Sequence, residues 1–90
     1  MLKEEIAKEI ESKFLSAIDL VKLTFKNGRA VHGSFEILED HADLRKIHKF
    51  RFVPSHKARE FRYISLKEGK KNPVYSIIID CDEIAKVEFV

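Results

Sequence analysis

Ninety residues, 44% of them hydrophobic and 36% charged, with seven Phe and no Trp, provide for one folded core and are too few for two. The longest unbroken apolar run, residues 77–79, excludes a membrane-spanning helix of roughly 20 residues, and the lone Cys81 excludes an intrachain disulfide. A net charge of +2, with Glu4 and Glu5 standing where a secretory leader carries apolar residues, argues for a single cytosolic domain over 1–90.

Leu2, Ile6, Ile10 and Phe14 recur every four residues, Ala17 and Ile18 extend the stripe, and Lys, Glu and Ser lie between. This spacing predicts an amphipathic helix over 1–18, which at that length needs its apolar stripe docked to be stable. A polar face of mixed sign argues for a packing helix that caps a barrel end rather than one lying on a membrane.

From residue 19 the period shortens to two. Val21, Leu23 and Phe25 alternate with Lys22 and Thr24, which predicts a half-buried strand. Asn27-Gly28 then predicts a type I′ hairpin turn into a second strand over 30–38. Gly33 inside that strand marks a sharp bend or bulge, since a missing side chain lets the backbone curl and neighbours approach. Residues 39–43 read as a polar turn, and Ile47, Phe50, Phe52 and Val53 as a third strand ended by Pro54. Phe61, Tyr63, Ile64 and Leu66 read as a fourth strand, 68–73 as a loop, 74–79 as a fifth strand and 84–90 as a short last one. Asp80-Cys81-Asp82-Glu83 leaves room only for a tight corner between the last two. The expected fold is mainly β: the N-terminal helix, then a five- to six-stranded, strongly bent antiparallel barrel over 19–90.

This succession resembles the Sm-like family, SH3-like barrels of RNA-associated proteins. Val21, Leu23, Phe25, Gly28, Val31, Gly33 and Phe35 match the apolar and glycine pattern of the family's first motif, in which the second glycine bends the strand. The family then places an Asp and, four residues later, an Asn that helps hold a base; this chain has Glu39 and Asp43. The second motif's Arg-Gly pair is replaced by Asp80-Cys81. An acid in place of that Arg repels phosphate, and Asp lacks the amide donor of Asn, so the family's nucleotide pocket is not carried over. The Rho-binding antiterminator, a small barrel that acts on a protein partner, has a similar outline without a motif in common.

The charge is unevenly spread. Residues 45–71 hold ten Lys and Arg against only Glu60 and Glu68, whereas the stretches on either side are net acidic. That segment interleaves the bases with Phe50, Phe52, Phe61 and Tyr63, giving cations to displace phosphate counterions and rings on which bases can lie. The three Phe also suit core positions with the bases as solvated neighbours, which leaves Tyr63 as the expected stacking ring. The expectation is a non-catalytic module that binds RNA, or DNA, through Lys46, Lys49, Arg51, Lys57, Arg59, Arg62, Tyr63, Lys70 and Lys71. The alternative is a protein-interaction module, an antiterminator-like inhibitor or a homo-oligomer assembled through barrel edges, whose basic stretch meets an acidic protein surface.

No cofactor or metal is expected. His41, Asp43, His48 and His56 lack the spacing of a ligand set, and Cys81 has no Cys-x-x-Cys companion. Asp80, Asp82 and Glu83 would raise the thiol's pKa, the wrong direction for a nucleophile. Glu39, Asp40 and Asp43 are explained by turn chemistry, and no Gly-rich phosphate cradle is present.

Overall fold

The computed structural model describes residues 2–13 and 20–89. Among these, helix α1 (Lys3–Lys13) leads to strands β1 (Val21–Phe25) and β2 (Ala30–Glu36), helix α2 (His41–Lys46), strand β3 (Lys49–Pro54), helix α3 (Ala58–Glu68) and strands β4 (Ile77–Asp80) and β5 (Ile84–Phe89). The strands pair antiparallel in one sheet of order β4-β3-β2-β1-β5. The fold therefore corrects the expectation of a mainly β, closed barrel: the sheet is open, and among the described residues the helices hold as many residues as the strands. Strands β4 and β5 are joined by a single 3₁₀ turn, Cys81–Glu83, yet lie at opposite edges.

The hairpin forms where expected, with different turn chemistry. Gly28 takes φ 90° while Asn27 does not enter the left-handed region. The loop closes by Gly28 N–H to Phe25 O at 2.9 Å and Phe25 N–H to Arg29 O at 2.8 Å, the three-residue form with glycine at the left-handed position instead of a two-residue type I′ turn. Gly33 pairs with Val21 on one side and Pro54 on the other. There it admits the Phe52 ring, the close approach that its lack of a side chain permits.

Val21, Leu23, Phe35, Phe50, Phe52, Ile79, Ile84 and Val87 form the core with Ile6, Ala7 and Ile10 of α1. Phe35 meets the rings of Phe50 and Phe52 edge-on at 6.0 and 5.2 Å. Ile6 and Ile10 are fully buried, each worth about 2 kcal/mol of apolar transfer, and they dock α1 on β5 and the Cys81–Glu83 turn. Leu2, expected in that stripe, is 67% exposed and Ala7 takes the inward place; Phe14, Ala17 and Ile18 lie outside the described residues. Ion pairs from Lys3 to Asp82 (3.5 Å) and from Arg45 to Glu11 (2.7 Å) flank the docked face.

Three segments depart from the expected elements. The turn expected at 39–43 opens α2, anchored by Leu44. The third strand starts at Lys49 rather than at Ile47, which is exposed, after His48 turns the corner with φ 58°. The expected fourth strand is helix α3, ended by Gly69 at φ 71°, the left-handed residue that commonly follows a helix. The expected fifth strand is shortened by a 3₁₀ turn over Pro73–Tyr75. No described helix is long and apolar enough to cross a membrane.

Candidate nucleic-acid interface

Helix α3 owes its position to β3. Phe50 and Phe52 face the core, so Lys49, Arg51 and Val53 face the other way. Val53 is nevertheless only 1% exposed, because α3 crosses that outer face with Ala58, Phe61 and Ser65 turned toward it. Phe61 is buried, Ile64 and Ser65 are half-buried, and Arg59, Arg62, Tyr63, Leu66 and Lys67 face solvent. Glu60 in the first turn and Lys67 in the last suit the helix dipole.

The expected site residues separate into three groups. Lys57, Arg59, Arg62, Tyr63 and Lys70 come together on α3 and its two ends, joined by Lys67, which nothing in the sequence alone singles out. Tyr63 is 63% exposed and Leu66 80%. None of Lys57, Arg59, Arg62, Lys67 and Lys70 is in an ion pair among the described residues. Glu60 and Glu68 are the acids on the helix, and Glu68 accepts from Asn72 at 3.2 Å.

Arg51 and Lys71 form a second group, spent on internal ties. Arg51 donates to Asp40 through Nη2 at 2.8 Å and Nε at 3.1 Å, and to Ser76 Oγ at 3.3 Å, tying the α2 entrance to β3 and the chain before β4. Asp40 stands at the N-cap of α2 but makes no cap bond with its side chain; its carboxylate is taken by Arg51, whose hydrogen bond and charge hold its pKa below the usual range against the opposing effect of burial. Lys71 donates to Glu36 Oε2 at 2.9 Å, fastening the segment after α3 to β2. Lys46 and Lys49 make up the third group. Lys46 lines the cleft between α2 and α1, and Lys49 pairs opposite Asp80 on β3, so neither belongs to the α3 cluster. Proximity along the chain merges these groups as long as a strand is expected in place of α3.

Of the positions that depart from the Sm-like motifs, Asp80 and Cys81 serve structure. Asp80 Oδ1 accepts the Asp82 N–H at 2.9 Å and caps the turn between β4 and β5. Cys81 is 1% exposed, its amide donates to His48 O at 3.0 Å, and burial, with Asp80, Asp82 and Glu11 nearby, pushes its thiol up to about 12. A thiol so held is a packed neutral group. Among the described residues no three His, Cys, Asp or Glu side chains converge to hold a metal ion. In comparisons with known proteins, no family profile, curated protein or solved structure matches this chain.

Proposed function

We propose that this chain is a small cytoplasmic, non-catalytic RNA-binding module whose contact surface is the exposed face of α3. The supporting observation is the gathering of Lys57, Arg59, Arg62, Lys67 and Lys70, without ion-pair partners among the described residues, around the exposed ring of Tyr63. Cations spaced along one helix neutralise phosphates, and an exposed phenol ring offers a surface on which an unpaired base stacks. Single-stranded RNA fits this better than duplex DNA, because Tyr63 has no use against stacked pairs. The scaffold keeps the Sm-like or SH3-like resemblance read from its first motif as part of this proposal, while the binding face on α3 lies apart from the motif positions Glu39, Asp43 and Asp80.

Gel-shift titration of a short single-stranded RNA across ionic strengths tests the reading. Engagement of four to five cations gives a slope of log K against log salt of about −3; no binding at low salt refutes it. A second reading, self-assembly, is favoured by one feature: edge strand β4 exposes Ile77 by 42% and Ile78 by 48%, beside the 69% exposed Val74. Unpaired aliphatic edges invite a further strand, and light scattering after size exclusion reads the outcome directly.

A further inference from the structure

A groove of about 380 Å³ runs beside α3 where the helix meets the outer face of β2 and β3. Ala58 and the exposed Leu66, over the buried Val53 and Phe61, make its floor apolar, Ser34 and Ser65 bring hydroxyls to it, and Arg62 with Lys70 stand at its border. We propose that this groove takes one unstacked nucleotide of a single-stranded RNA, with its base on the floor and its flanking phosphates on Arg62 and Lys70. The proposal rests on the RNA-binding reading of α3 and adds a base slot separate from Tyr63.

Several features select this occupant. The volume falls within the range of small-ligand sites, and an apolar floor accepts a flat base while excluding a bare phosphate. Ser65 Oγ donates to Phe61 O at 2.7 Å, so it turns lone pairs to an incoming base N–H. Ser34 sits half-buried on β2, its hydroxyl engaged in no hydrogen bond among the described residues. A purely hydrocarbon ligand leaves the Ser34 hydroxyl unmatched. The acid on the wall, Glu36, is neutralised by Lys71 at 2.9 Å, which leaves the positive field of Arg62 and Lys70 in place for phosphates.

Fluorescence anisotropy with the full chain decides the matter, using a labelled oligouridine, an abasic oligonucleotide of equal length, and the variant Ser34→Phe, which fills the slot and changes no charge. The expected result is that Ser34→Phe weakens oligouridine binding at least tenfold and leaves abasic binding unaltered. Unchanged oligouridine affinity in that variant overturns the slot while sparing the α3 reading, whereas equal affinity of the wild type for both oligonucleotides overturns the slot together with the stacking role of Tyr63. Absence of any binding by the wild type overturns both. Should Ser34→Phe fail to fold by circular dichroism, the wild type's Val53 methyl resonances report instead: they shift with oligouridine and stay still with the abasic strand, and no shift with oligouridine overturns the proposal.

Discussion

The ring of Phe52 occupies the space that a side chain at Gly33 would need: a Cβ there would stand 2.7 Å from Phe52 Cε1 and 2.8 Å from Cζ, and would also collide with the Val53 carbonyl. Phe52 is fully buried and packs edge-on against Phe35, and the Val53 carbonyl belongs to the backbone, so neither obstacle can move aside cheaply. Gly33→Ala is therefore expected to cost at least about 3 kcal/mol, the range of severe overpacking. Urea unfolding of the two proteins measures it; a loss under about 1 kcal/mol refutes this packing account.

Arg51 works as a brace and does not reach a phosphate. Arg51→Met is expected to lower stability near neutral pH by about 1 kcal/mol, a modest figure because Asp40 is partly solvated, and to leave the salt slope of RNA binding unchanged. Asp40, its pKa lowered in the fold, contributes stability that is present above the unfolded value of about 3.9 and is lost as pH falls through the folded one. Acid titration of unfolding should accordingly show a shallower decline in Arg51→Met than in the wild type.

Replacing Arg59 and Arg62 by Ala should flatten the salt slope by about 0.7 for each phosphate that is no longer neutralised, with stability altered by no more than about 0.5 kcal/mol because both are exposed. Tyr63→Ala should weaken RNA binding by about 1–3 kcal/mol at equally little cost in stability. Phe61→Ala, on the buried side of the same helix, should instead destabilise the protein by about 3 kcal/mol. Paired binding isotherms and thermal melts separate the two faces.

The thiol of Cys81 should resist Ellman's reagent in the native protein and react on unfolding. Its folded pKa is raised to about 12, so the unfolded state ionises first, at about 8.5. Its contribution to stability is fully present below that pH and declines as pH rises toward 12. Cys81→Ala should remove this alkaline loss in stability curves measured between about pH 8 and 11.

His48 turns the α2–β3 corner at φ 58°, a conformation costing an ordinary residue about 1 kcal/mol. His48→Gly should raise stability by about 0.5 kcal/mol, read as a higher melting temperature; a lower one would mean that the half-buried imidazole contributes more than the backbone strain takes away.

The hairpin, the third and last strands and the corner at residues 80–83 are legible in the sequence because alternation and turn residues there act locally; Gly33, expected at a bend or bulge, instead pairs in register with Val21 and Pro54 and leaves room for Phe52. Helix α3 is not legible. Phe61, Tyr63, Ile64 and Leu66 mimic strand pairs, and the contrary signals, Ala58-Phe61-Ser65 at helical spacing and Gly69 as the terminating residue, are weaker than β propensity. The lapse in alternation at Val53 is itself a trace of α3, since a strand covered on its outer face has no solvent side there. Helix α2 is six residues long with one buried anchor, Leu44, too short for a period to register. The basic character of residues 45–71 is plain in composition, but only tertiary structure divides cations held by Asp40 and Glu36 from those left open on α3.

The single turn Cys81–Glu83 carries the chain from one margin of the sheet to the other, so the last strand docks on the first, with Val21 opposite Phe89 and Leu23 opposite Val87. During synthesis β1 must wait for residues 84–89 to leave the ribosome before it gains its second neighbour, whereas the β1–β2 hairpin can close at once. Such distant pairing slows folding, and until it is complete one backbone edge of β1 stands without its β5 partner.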